Sequence, residues 1–196
     1  MSLVARMRRR LGAQGGYTLV EMLTVLLILG VVMGGLTTVL SSATNADAQM
    51  NRRYQAQQTA RLALDKLRRE VHCSSAATPA ATTSSSVTLT LPTYCKTYSG
   101  STSVTWCTRN VSTNRYALYR VDGSTCSGGV KWADFLTPTS TATVCSGALC
   151  VFNYSAQSTS SLAKLHVDFP VNPKPIRNVD TYELVDDLVL RNSSRS

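Results

Sequence analysis

The sequence has no G-x-S-x-G nucleophile turn, no phosphate-cradling loop, no dinucleotide fingerprint and no C-x-x-C. Its only two histidines, His72 and His166, are far apart. The common hydrolase, nucleotide-binding and zinc-site arrangements therefore have no basis here, and no enzymatic activity, cofactor or metal is expected. No internal repeat is visible. Acid is scarce, with 11 Asp and Glu against 20 Lys and Arg and a formal net charge of +9. Four of those basic residues, Arg6, Arg8, Arg9 and Arg10, precede Tyr17 and none of the acids does, which leaves side chains of charge +5 from Tyr17 onward. That smaller excess weakens any argument for nucleic acid as a partner.

The most informative absence is of charge between Met22 and Ala46. A helix rises about 1.5 Å per residue, and a bilayer core of about 30 Å takes roughly 20 residues, so Met22–Leu40 nearly spans one. Glu21 stands at the head of this run, with no basic residue nearby on its C-terminal side. A carboxylate at the apolar boundary costs about 2.5–3.5 kcal/mol and needs a partner. A cut between Gly16 and Tyr17 would create one. The new α-amino group would lie four residues from Glu21, about 6 Å along a helix, or would meet Glu21 of a neighbouring copy.

Gly16-Tyr17-Thr18-Leu19-Val20-Glu21, behind a basic leader and ahead of an apolar helix, resembles the processing motif of type IV pilins and type II secretion pseudopilins. The resemblance implies cleavage by a prepilin peptidase after Gly16, N-methylation of Tyr17 and a role for Glu21 in assembly. It implies a precursor in the cytoplasmic membrane, and other pilins or pseudopilins as partners. Tyr17 stands where the family usually has Phe, and Gly34-Gly35-Leu36-Thr37-Thr38 lacks the helix-bending Pro of many major pilins. Two plainer readings compete. An uncut single-span anchor keeps its start, and a secretory signal cut after Ala46-Asp47-Ala48 begins at Gln49.

Asp47–His72 contains no Pro or Gly and is rich in helix formers. Ala56, Ala60, Ala63, Leu64, Leu67 and Val71 recur on one face. Arg61–Asp65, Asp65–Arg69 and Lys66–Glu70 are read as i,i+4 pairs on the other faces. Ser74–Ser86 reads as a mobile Ser/Thr/Ala loop. Strand-like runs follow at Val87–Pro92, Ser103–Arg109, Arg115–Gly123, Cys150–Tyr154, Leu162–Phe169 and Tyr182–Arg191, with Val130–Leu136 ambiguous. Pro170, Pro173 and Pro175 read as an extended break. The expectation is an α+β, pilin-like fold: leader 1–16, transmembrane helix 17–40, its amphipathic continuation 41–73, and a mainly antiparallel β head 74–196 of six to eight strands. The run QQTARLALDKLRREVHC resembles the post-span helix of J-type minor pseudopilins and W-type minor pilins.

All six cysteines, Cys73, Cys95, Cys107, Cys126, Cys145 and Cys150, follow the span. An even count in an exported domain suggests disulfides, with 15 connectivities open for six cysteines. The expected pairs are Cys145–Cys150 across a turn, Cys95–Cys107 across a hairpin and Cys73–Cys126 from helix to sheet. The scattered aromatics read as sheet core. Arg109, Arg115 and Arg120 bracket the central hairpin and are the candidates for phosphate contact in a tip adhesin or DNA-uptake subunit. Asp186-Asp187, helped by Asp180 and Glu183, is the candidate for Ca²⁺, as in some pseudopilins, although neighbouring strand residues face opposite ways.

Overall fold

A computed structural model describes residues 16–174 and 181–192. Contacts divide the chain into two units, one up to Gln49 and one from Met50, and a single 55-residue helix, α1 (Leu19–Cys73), is shared between them. In the first unit α1 starts on a cap. The Glu21 N–H donates to Thr18 Oγ1 at 3.3 Å and the Met22 N–H to Thr18 O at 3.1 Å. Thr18-Leu19-Val20-Glu21 thus has the spacing of a capping box, in which a hydroxyl takes one of the orphan amides of the first turn. Polar groups within the apolar run are satisfied locally. Thr37 Oγ1 donates to Gly34 O at 2.9 Å and Thr38 Oγ1 to Gly35 O at 2.7 Å. The run exposes its large side chains, Leu27 and Val31 at 70% each, and is long and apolar enough to cross a membrane.

In the second unit the expected stripe of Ala56, Ala60, Ala63, Leu64, Leu67 and Val71 is buried. Each buried leucine contributes roughly 1.5–3 kcal/mol relative to exposure. The alanines let the helix lie close to the sheet. Glu70 belongs to this face too and is fully buried, which corrects its placement on a solvated one. The ion pair of Asp65 among the described residues is with Arg68, at 3.3 Å, rather than with Arg61 or Arg69.

Eleven strands follow among the described residues: β1 (Ala76–Thr78), β2 (Thr83–Ser84), β3 (Ser86–Thr90), β4 (Ser103–Ser112), β5 (Arg115–Asp122), β6 (Val130–Leu136), β7 (Val144–Cys145), β8 (Ala148–Leu149), β9 (Phe152–Ser155), β10 (Lys164–Val171) and β11 (Tyr182–Val189). Nine form one antiparallel sheet in the order β1-β3-β4-β5-β6-β10-β9-β2, with β11 also on β10, while β7 and β8 make a separate hairpin. The fold is α+β, one long helix before a mainly antiparallel β domain. Helix-facing positions alternate along the strands: Val87 and Leu89, Val104 and Trp106, Tyr116 and Leu118, and Leu165, Val167 and Phe169 all join the helix stripe in the core. Most of the aromatics expected as core fill that role, Trp106, Phe152 and Phe169 being buried completely or nearly so, with Trp132 and Phe135 only partly buried against the core and Tyr119 outside it.

Two expectations are corrected. Ser74–Ser86 is not simply a loop, because it holds β1, paired to β3, and β2, paired to β9. Pro170 does not break the chain but lies inside β10. Pairing of β10 with β9 stops at Val167 and that with β6 falls at Val171, so Pro170, which lacks an N–H, occupies the gap between two partners. Its carbonyl still accepts the Thr137 N–H at 3.0 Å. Pro175 lies outside the described residues.

Candidate functional site

Two assemblies of polar groups stand out, one at each end of α1. At the N-terminal end Glu21 lies in the first turn, where the helix dipole favours a negative charge. Among the described residues its carboxylate has no ion-pair partner. Thr18, the capping residue two positions after Gly16, was not singled out from the sequence. Its signal is the Thr-x-x-Glu spacing, which lies inside the motif that carries the cleavage, methylation and assembly roles.

At the other end Glu70 is an internal clasp. Its Oε2 accepts Trp106 Nε1–H at 2.6 Å, and its Oε1 accepts Arg120 Nε–H at 2.8 Å with Lys66 Nζ at 3.4 Å. Arg120 continues to Asp122 Oδ1 at 2.9 Å, which also accepts Ser99 Oγ–H at 2.6 Å. The Ser99 hydrogen bond, followed by the Arg120 charge, holds the Asp122 carboxyl below its ordinary value against the opposing effect of burial. A fully buried carboxylate is tolerated only when paired and hydrogen-bonded. Here the pairing fixes the register of α1 on β4 and β5.

The three arginines of the central hairpin do not form one patch. Trp106 pairs with Arg120 in register, and both reach Glu70 on the helix side. Arg109, of opposite parity on β4, stacks over Tyr119 at 4.2 Å and donates to Gly128 O at 2.6 Å. Arg115 makes two bonds to Asp134, at 3.0 and 2.9 Å. Burial alone would raise the Asp134 carboxyl, but hydrogen bonds from Arg115, Lys131 and the Phe135 N–H hold it below the ordinary value.

Asp186 and Asp187 do point to opposite sides. Asp186 accepts from Arg68 at 2.6 Å, and Asp187 accepts from Lys164 at 3.0 Å and meets His166 Nδ1 at 2.8 Å. The His166 hydrogen bond, with that of Lys164, lowers the Asp187 pKa. The structure therefore surrounds these acids with cations rather than gathering them, and Asp180 lies outside the described residues. His72 is engaged elsewhere, its Nδ1 2.8 Å from Val189 O.

The cysteines pair as Cys73–Cys95, Cys107–Cys126 and Cys145–Cys150, with Cα separations of 5.9, 6.1 and 5.8 Å. Cys145–Cys150 is the expected local pair, but Cys95–Cys107 and Cys73–Cys126 are corrected. Register explains the change. Cys107 pairs with Ser86, so Cys95 is not its cross-strand neighbour but lies in the β3–β4 connection. Cys107 also has the parity opposite to Trp106, facing away from α1, so Cys73 on the helix cannot approach its side of the sheet. Cys126 lies on that far side, where Arg109 Nε donates to its sulfur at 3.3 Å. Cys95 takes over the role of tying the helix end to the head.

The Gly16-Tyr17 junction and Glu21 fall within the part of the chain that known families describe. Residues 11–37 match the prokaryotic N-terminal methylation motif. No curated protein and no solved structure gives a significant match to the chain. The motif, heading one long apolar-to-amphipathic helix with an antiparallel β domain behind it, supports this chain as a type IV pilin-like protein processed by prepilin peptidase.

Proposed function

We propose that the chain is a minor pilin or pseudopilin, a structural and non-enzymatic subunit of a type IV pilus or type II secretion-like filament. The observation that carries this reading is Glu21 in the first turn of an exposed apolar helix, inside the matched motif. Cleavage after Gly16 creates the Tyr17 amine, which N-methylation leaves basic. That amine neutralises Glu21 of the same or an adjacent subunit, removing two charges from lipid and setting the axial register of docking. The precursor sits in the cytoplasmic membrane with its arginine-rich leader on the cytoplasmic side. The head lies outside, in a compartment that permits its three disulfides. A cysteine-rich head on an ordinary assembly helix suits a specialised subunit better than a bulk one. The test is incorporation. Wild-type chain should co-isolate with other pilin-like subunits in sheared filaments, and Glu21→Val should remain in the membrane. Equal incorporation of the two would overturn the reading.

A further inference from the structure

Within the second unit, a cavity of about 460 Å³ lies between α1 residues Arg52, Gln55 and Thr59 and the Arg115, Asp134 and Phe135 cluster of β5 and β6. Its wall has an unusual construction. Between the pairs Tyr116↔Leu136 and Leu118↔Ala133, one residue of β5 faces two of β6, Asp134 and Phe135. Such a bulge re-aims side chains. Consecutive residues of a regular strand point to opposite faces, yet both of these meet the same guanidinium. Asp134 binds Arg115 through two oxygens, and the Arg115 guanidinium lies over the Phe135 ring at 4.1 Å. Phe135 reaches this position by adopting φ +63°, a conformation rare for a bulky residue and often retained at functional sites.

The result is an arginine held rigid from two sides. Asp134 already accepts from Arg115 Nε, Arg115 Nη2, Lys131 Nζ and the Phe135 N–H, so its acceptor capacity is filled. Arg115 Nη1 has no hydrogen-bond partner among the described residues, and neither has the Arg52 side chain. The cavity therefore presents two cations with one compensated acid, flanked by the Gln55 amide and the Thr59 hydroxyl. A preorganised guanidinium edge beside a second arginine is suited to a carboxylate, which it can bind through two parallel hydrogen bonds.

We propose that this cavity is a carboxylate-binding site that takes an acidic side chain of an adjacent filament subunit. The anion chemistry stands on the geometry alone; the identity of the occupant rests on the filament reading. Full-length protein in detergent micelles would be titrated calorimetrically with tri-glutamate, tri-lysine and inorganic phosphate. Saturable binding of tri-glutamate is expected, with none of tri-lysine. Arg52→Gln, which removes a side chain without described partners, should weaken it about tenfold, and Arg115→Lys by at least as much. No tri-glutamate binding, phosphate binding as tight as tri-glutamate, or binding insensitive to both variants would overturn the site. The occupant is tested separately by a photo-crosslinking amino acid at position 55 in cells. Capture of another pilin-like subunit is expected. Capture of only unrelated proteins, or of nothing, alongside intact tri-glutamate binding would overturn the occupant while leaving the site.

Discussion

The two ends of α1 handle apolar side chains in opposite ways. Along Leu19–Leu40 the large ones are exposed, Leu29 at 48% being among the least so. Along Ala56–Val71 one stripe is buried, with Leu67 and Val71 at 0%. The difference lies in what each half has to pack on within its own chain. The second half has a nine-stranded sheet and closes its stripe with a paired carboxylate. Among the described residues the first half has no such surface, and apolar exposure on this scale suits lipid or other helices rather than water. One helix thus serves two solvents, and each half carries one glutamate whose treatment marks the difference. Glu70 is fully buried with its cations beside it, whereas Glu21 has none among the described residues.

Substitutions in the two halves should accordingly separate assembly from stability. The largest effect is expected from Glu21→Val, which should abolish incorporation into filaments, read by immunoblot of sheared material, with no change in the unfolding midpoint of the head. Glu70→Ala should do the reverse. It leaves the Trp106 N–H and the Arg120 Nε–H without their acceptor, although Arg120 keeps Asp122, and loss of one partner from a buried pair costs about 3–5 kcal/mol, measurable by urea unfolding of the detergent-solubilised chain followed through tryptophan fluorescence. Replacing both Cys73 and Cys95 by serine should cost about 3 kcal/mol by freeing a loop of this length, with the sharpest rise in hydrogen exchange at the end of α1.

The smallest effect is expected from pH. Asp122 and Asp134 are both held below the ordinary aspartate value of 3.8. A carboxyl depressed in the folded state contributes stability that is complete above its unfolded pKa and is lost as pH falls through the folded one. Stability should therefore be level near neutrality and decline below about pH 4, and Asp134→Asn should flatten that decline. A decline unchanged by this substitution would show that Asp134 is not one of its sources.

Periodicity made the helical stripe legible, because six positions at helical spacing point one way whatever lies opposite. Glu70 was not legible. Lys66 four residues earlier looks like a surface pair, and only the sheet reveals Arg120 and Trp106 converging on the same carboxylate. The long strands announced themselves by alternation and β-branched residues. β1 and β2 did not, since Ala76–Thr78 and Thr83–Ser84 are short and of loop-like composition. Disulfide connectivity depends on register and face together, and neither is written in the spacing of the cysteines. The Arg115 cluster was invisible for a related reason. Its geometry requires two adjacent residues to share one side of a strand, which happens only at a bulge.

On the filament reading, proteolysis supplies the charge that Glu21 lacks. Intact mass and N-terminal sequencing of the protein recovered from membranes test it most directly. The expected chain begins at Tyr17, carries one added methyl group and retains three disulfides. A chain that keeps its leader, or one that begins at Gln49, would contradict it.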